Sequence, residues 1–271
     1  MSRRVAGEFS ERYGPWALVA GGSQGLGACF AEALAACGLD LVLVARGAEA
    51  LAAEASRLRE GFAVQVVTVA ADLGTPQGLE SVEGAIAELD LGLLVYNAAV
   101  SHTGGFLDAD LELYQALVSV NCRGALELCY RLGGRFVQRG KGGLLIMSSL
   151  AGTQGSPWVT AYGASKAFLL SLGEGLAEEL GPKGVDVTVV CAGPILTPNY
   201  VASKTNPARR MPLETSPQRV VRAALRALGR KPVVIPGILT RAAHLLMSRL
   251  LPRRRAVAMM GRSTGNLYGG A

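Results

Sequence analysis

Two short stretches hold residues whose types and spacing could do chemistry. Gly21-Gly22-Ser23-Gln24-Gly25-Leu26-Gly27 directly follows the apolar run 16–20 and precedes a segment with helical apolar spacing. Glycines let a backbone turn tightly and approach a ligand closely, and the free N–H groups of a helix start attract an anion. The spacing G-x-x-x-G-x-G between strand and helix is a variant of the dinucleotide fingerprint and predicts a pyrophosphate cradle. The same residues also fit a G-x-S-x-G nucleophile elbow, with Ser23 as nucleophile and His244 as base of a serine hydrolase. Position argues against that reading, because an elbow needs several strands upstream and only one precedes this loop. The second stretch is Tyr162-Gly163-Ala164-Ser165-Lys166. Tyr162 and Lys166 stand four apart at the start of a predicted helix and share a face, and Ser149 lies thirteen residues before Tyr162, just past another apolar run.

These residues need elements to position them. Apolar runs at 16–20, 40–45, 64–70, 91–96, 143–148, 185–191 and 232–235 are continuous rather than alternating, as in parallel strands covered on both faces. Between them, apolar spacing and flanking turn residues predict helices over 25–37, 48–60, 76–89, 110–138, 161–181 and 216–229. Strict alternation predicts an α/β fold: a doubly wound, Rossmann-type parallel sheet of about seven strands with helices on both faces. No internal repeat or low-complexity linker divides the chain, so 1–271 reads as a single domain. Two stretches break the rhythm. Residues 193–215, rich in Pro, Thr and Asn, form a long loop of the kind that serves function. Residues 238–251 read as an extra C-terminal amphipathic helix, followed by a basic, Gly-rich tail.

The second strand ends in Val44-Ala45-Arg46-Gly47, with no acid to bind the ribose hydroxyls of NAD. Arg46 can instead grip a 2′-phosphate. A charged hydrogen bond there would favour NADP(H) over NAD by roughly ten- to a hundred-fold.

With these residues in view, the chain resembles a short-chain dehydrogenase/reductase over nearly its full length. The resemblance rests on the glycine loop, Asp72 after the third strand, Asn97-Ala98-Ala99 after the fourth, Asn121, Ser149, the Tyr162/Lys166 pair, and Gly193-Pro194-Ile195-Leu196-Thr197. Departures are Ala20 in place of a usual threonine, Ala99 in place of a usual glycine, Tyr96 in place of a usual asparagine, and Gln24 where a basic or polar contact is common. The resemblance implies an oxidoreductase that moves hydride between nicotinamide and a carbonyl or alcohol. In it Tyr162 is general acid and base, Lys166 favours the phenolate and bonds the nicotinamide ribose, Ser149 holds the substrate oxygen, and Asn121 holds a water. It further implies cofactor contacts by Gly21, Ser23, Gln24, Gly25, Leu26 and Gly27, by Asp72 and Leu73 at adenine, by Asn97, Ala98 and Ala99, and by Pro194, Ile195 and Thr197. A non-catalytic NADP(H)-binding sensor is the alternative; the intact Asn121, Ser149, Tyr162, Lys166 set speaks against it.

Composition sets outer limits. Hydrophobic residues make up 50% and charged residues 18%, which excludes intrinsic disorder as the main state. Five scattered cysteines and two histidines suit neither a disulfide scaffold nor a zinc site, and predict a reducing, cytoplasmic setting with no metal. No run is long enough to span a bilayer. Residues 1–203 hold 13 basic and 20 acidic residues, whereas 204–271 hold 14 basic residues and one acid, Glu214. Arg209, Arg210, Arg253, Arg254 and Arg255 could attract an acyl-carrier-bound or CoA-linked substrate or an anionic membrane surface, or simply be solvated. The basic residues lack aromatic neighbours, which speaks against nucleic acid. Leu150, Trp158, Val159, Tyr200, Val201 and Met211 suggest an apolar pocket, with 102–107 and 150–158 as further walls. By resemblance, the end section suits a hydrophobic ketone, such as a steroid, or a 3-oxoacyl substrate. The resemblance also suggests a homodimer or homotetramer formed through 110–138 and 161–181.

Overall fold

A strand buried on both faces must be apolar at nearly every position, and the seven apolar runs all become strands. A computed structural model of the chain describes residues 3–204 and 213–268. In chain order it contains α1 (Arg3–Tyr13), β1 (Trp16–Ala20), α2 (Gly25–Ala35), β2 (Asp40–Ala45), α3 (Ala48–Gly61), β3 (Val66–Ala70), α4 (Pro76–Ile86), β4 (Leu91–Tyr96), α5 (Leu111–Val118), α6 (Ala125–Arg139), β5 (Gly142–Ser149), α7 (Thr160–Leu180), β6 (Val185–Ala192), α8 (Pro198–Ala202), α9 (Pro217–Ala227), β7 (Val233–Val234), α10 (Ile238–Leu245) and α11 (Arg253–Tyr268).

The sheet runs β3-β2-β1-β4-β5-β6-β7, with every pairing parallel. Alternate strand residues feed two cores. Val19, Leu43 and Val95 pack toward Phe30, Leu34, Leu51 and Val220 of α2, α3 and α9. Leu18, Val42, Leu94 and Ile146 pack toward Leu79, Leu128, Phe136 and Leu169 of α4, α6 and α7. The strand order reverses between β1 and β4, so a crevice opens there at the carboxyl edge, where ligands bind in such sheets.

Four features depart from the expected elements. The helix expected over 110–138 is interrupted by a π-helical turn, Ser119–Gly124, between α5 and α6. A second π turn, Leu246–Leu250, extends α10. The chain start forms α1, which buries Phe9 and Tyr13; the Tyr13 hydroxyl donates to Asp186 Oδ2 at 2.6 Å. The stretch read as a basic, Gly-rich tail is the 16-residue helix α11. The long loop after β6 carries the short helix α8 and pairs back on itself through Ile195 and Thr215.

Candidate active site

The glycine loop takes its shape from backbone demands. Gly21 has φ +77°, a left-handed conformation that side chains disfavour. The N–H groups of Gly21 and Gly22 both donate to Val44 O, at 2.7 and 3.2 Å. Helix α2 begins so close to the loop that a Cβ on Gly27 would stand 1.8 Å from Gly21 O. Gln24 precedes α2 in extended conformation and its side chain caps nothing, which leaves the amides of Gly25, Leu26 and Gly27 without helical acceptors. Asn97, just past β4, donates through Nδ2 to Gly21 O at 3.1 Å and so ties the loop to the neighbouring strand. Ala98 lies against Gly21, and Thr197 against Gly25.

The remaining cofactor candidates occupy the same sheet edge. Ser23 is partly exposed, and Arg46, beyond the tip of β2, is exposed. Asp72 turns its Oδ1 onto the N–H of Gly74 at 2.8 Å, and Leu73 is buried. Ala99 is exposed, while Pro194 and Ile195 are partly buried after β6. The structure therefore gathers Gly21, Ser23, Gln24, Gly25, Leu26, Gly27, Arg46, Asp72, Leu73, Asn97, Ala98, Ala99, Pro194, Ile195 and Thr197 at the ends of β1, β2, β3, β4 and β6.

Ser149, Tyr162, Lys166 and Asn121 form one constellation. Ser149 closes β5, accepts the N–H of Ala151 at 3.2 Å and stands near enough to the Tyr162 phenol to lower its pKa. Lys166 is buried one turn along α7; its Nζ lies 5.5 Å from the centre of the Tyr162 ring and donates to Met147 O at 2.8 Å. Asn121 is fully buried in the π turn. Its side chain accepts from Val100 N at 2.8 Å and donates to Val100 O and to Ser165 Oγ, both at 2.9 Å. This carboxamide fastens the loop after β4 to α7.

The electrostatics differ from expectation. Burial pushes the Tyr162 phenol up to about 12; the nearby Ser149 hydroxyl opposes the rise and the phenol of Tyr268 adds to it. Burial likewise pulls Lys166 down to about 8. In the protein alone, desolvation outweighs any stabilisation of a phenolate by Lys166.

Sequence reasoning missed a further wall. Helix α11 lies over the segment after β5: Val257 approaches Gly155, Gly261 meets Pro157 and Gly265 meets Trp158. Thr264 Oγ1 donates to Pro157 O at 2.8 Å. Trp158 itself has φ +68°, a rare backbone state for a bulky residue. At the end of α11, Tyr268 lies near Tyr162 and Tyr200 and adds to the rise in pKa that burial causes in both. Glycines make this packing possible, so hydropathy carried no sign of it. Of the expected pocket residues, Leu150 and Val159 are buried, Tyr200 is half-buried, and Trp158 and Val201 are exposed. Leu107 is almost fully exposed rather than in a wall. Met211, Arg209 and Arg210 lie outside the described residues. On either side of 205–212, Lys204 and Glu214 form a buried ion pair, and the Tyr200 hydroxyl donates to Glu214 Oε1 at 3.0 Å.

Among the described residues no hydrogen bond joins Ser23 to a histidine, and His244 contacts Ser248 of its own helix. No group of three or more His, Cys, Asp or Glu among them could hold a metal.

The chain matches the short chain dehydrogenase family model over residues 15–208. It is 34% identical over 230 residues to a 7beta-hydroxysteroid dehydrogenase of Collinsella aerofaciens, covering 84% of this chain and 88% of the relative. A solved 7beta-hydroxysteroid dehydrogenase structure superposes with a TM-score of 0.87 at 30% identity, over 93% of this chain and 98% of that one. A short-chain dehydrogenase from Sphingobium yanoikuyae, solved with NADPH, superposes with a TM-score of 0.75 at 33% identity, over 87% and 96% of the two chains.

The buried ammonium of Lys166 makes a prediction for stability. Its pKa falls from 10.5 to about 8 on folding. Between those values the unfolded chain binds more protons, so this group's contribution rises with pH and its full burden is present below pH 8. In urea titrations, the stability of Lys166→Met relative to the parent should therefore fall by about 3 kcal/mol between pH 8 and 10.5. A difference that is flat across that range would refute the buried ammonium.

Proposed function

The chain belongs to the short-chain dehydrogenase family, and from that premise we propose an NADP(H)-dependent oxidoreductase that interconverts a ketone and a secondary alcohol on a bulky apolar molecule. The observation that carries this reading is one of placement. The Ser149–Tyr162 hydroxyl pair and the Gly21–Gly27 cradle stand at one edge of one sheet, and Thr197 lies against Gly25 of the cradle.

The residues present fit a dinucleotide. Glycines remove the side chains that would fill the cradle, the first amides of α2 face it, and Arg46 stands exposed at the tip of β2 for a 2′-phosphate. When bound, the nicotinamide supplies or takes the hydride and, oxidised, brings a positive charge to the site. The chain supplies the proton chemistry. In reduction, the Tyr162 hydroxyl gives its proton to the substrate oxygen while Ser149 donates a hydrogen bond to that same oxygen and stabilises its developing negative charge. A phenol held near 12 keeps its proton at neutral pH, which suits an acid. In oxidation, Tyr162 takes the proton back. Lys166 would bond the nicotinamide ribose. Because the Asn121 side chain is occupied by Val100 and Ser165, a bound water would meet its backbone.

The likeness to 7beta-hydroxysteroid dehydrogenases supports a steroid-like substrate, with a 3-oxoacyl chain as the second class to screen. Trp158, Val201 and Tyr268 offer aromatic and apolar walls of suitable kind. The chain would act as one domain over 1–271, with 195–215 shaping the substrate side, in the cytoplasm, where its five cysteines stay free. Exposed Val118, Leu126, Tyr130 and Phe168 along α5, α6 and α7 suit pairing with further copies as a homodimer or homotetramer. The basic C-terminal segment is free to meet an anionic surface.

Three measurements test this reading. Tyr162→Phe should lower kcat for NADPH-dependent ketone reduction by at least about a hundredfold, with NADPH binding, followed by its fluorescence, nearly unchanged; full turnover by the variant would refute the mechanism. Arg46→Asp should shift the NADPH-to-NADH ratio of kcat/KM toward NADH by about ten- to a hundred-fold, and an unmoved ratio would remove Arg46 from the cofactor site. Tyr268→Ala should raise KM for a bulky ketone by about three- to ten-fold through loss of an aromatic contact, leaving a small cyclic ketone unaffected. Equal effects on both would exclude Tyr268 as a wall.

A further inference from the structure

A surface helix normally turns its apolar stripe inward and its charges outward. Helix α10 with its π-turn extension does otherwise. Thr240 and Met247 are its buried contacts, whereas Ile238, Leu239, Leu245, Leu246 and Leu250 are between 43% and 78% exposed. Arginines are interleaved with them: Arg241 and Arg249 are exposed on the same helix, and Arg253, Arg254 and Arg255 are exposed just beyond Leu250. No acidic residue follows Glu214 in the sequence.

We propose that this outward face, Ile238, Leu239, Leu245, Leu246 and Leu250 with their flanking arginines, docks the protein on an anionic lipid bilayer. Leucines and isoleucine enter the boundary between head groups and acyl chains, and the long arginine side chains lie along that apolar surface with their guanidinium groups at the lipid phosphates. A second copy is the rival occupant. Two-fold self-pairing lays a patch on itself, so arginines of one copy would face arginines of the other, with no acid from either C-terminal segment to relieve them. An anionic membrane satisfies both halves of the patch at once. The inward side of the same helix packs on Gln154 and Gly193 through Met247 and Thr240, so the docking face borders the rim of the site cleft. The proposal stands independently of the reaction assigned to that cleft.

The test uses the full chain and sedimentation with vesicles of phosphatidylglycerol and phosphatidylcholine, or of phosphatidylcholine alone. The parent protein should partition onto the anionic vesicles at low salt and markedly less onto neutral ones. The triple change Arg253→Gln, Arg254→Gln, Arg255→Gln should weaken partition by about a hundredfold, and the double change Leu246→Glu, Leu250→Glu should abolish it. Unchanged melting temperatures certify that both variants fold. Failure of the parent to bind anionic vesicles, or equal binding to neutral ones, would overturn the proposal. So would a dimer, seen by analytical ultracentrifugation, that Leu246→Glu, Leu250→Glu dissolves, because the face would then belong to a second copy.

Discussion

A buried polar group must find partners or the fold loses the free energy of its hydration, and the site depends on how this chain meets that requirement. Asn121, with no exposure, binds the backbone of Val100 on one side and Ser165 on the other. Ser165 Oγ donates in turn to Tyr162 O at 2.8 Å, Ser148 Oγ donates to Lys166 O at 2.7 Å, and Lys166 Nζ reaches Met147 O. The π turn, the end of β5 and the first turns of α7 are thereby joined by bonds that cannot be exchanged for water. Tyr162 and Ser149 meet because everything around them is so constrained.

The glycine loop is held by the complementary device, close approach. Where Asn121 works by filling its hydrogen-bond capacity, Gly27 works by having no side chain, and Asn97 adds one bond across the point where the sheet changes direction. Both devices act at the edge of a sheet covered on each face by an apolar cluster. A rigid, dry scaffold thus ends in a rim where polar groups are concentrated. The same dryness raises the phenol and lowers the ammonium, so the protonation states of Tyr162 and Lys166 follow from the scaffold more than from each other.

Much of this was legible in the sequence, because parallel strands announce themselves as unbroken apolar runs; β1, β2 and β4 begin and end where the runs do. The ligand edge followed from the order of strands and loops. Other features left no trace in hydropathy. The π turn around Asn121 adds a residue to a turn without disturbing the apolar pattern on either side of it. Helix α11 seats itself with Gly261 and Gly265 against Pro157 and Trp158, so small size, rather than apolar character, marks its contact face. Nothing in the residue order connects Tyr268 with Tyr162, whose relation arises only once α11 crosses the segment after β5. The direction of the phenol's shift depends on burial, which residue types and spacing do not reveal.

The buried pair formed by Lys204 and Glu214 has a consequence for how this protein can change. It clamps the two borders of the interval 205–212, and Tyr200 adds a hydroxyl bond to the same carboxylate. Removing one charge of a buried pair alone costs about 3–5 kcal/mol, so positions 204 and 214 can change together but not singly.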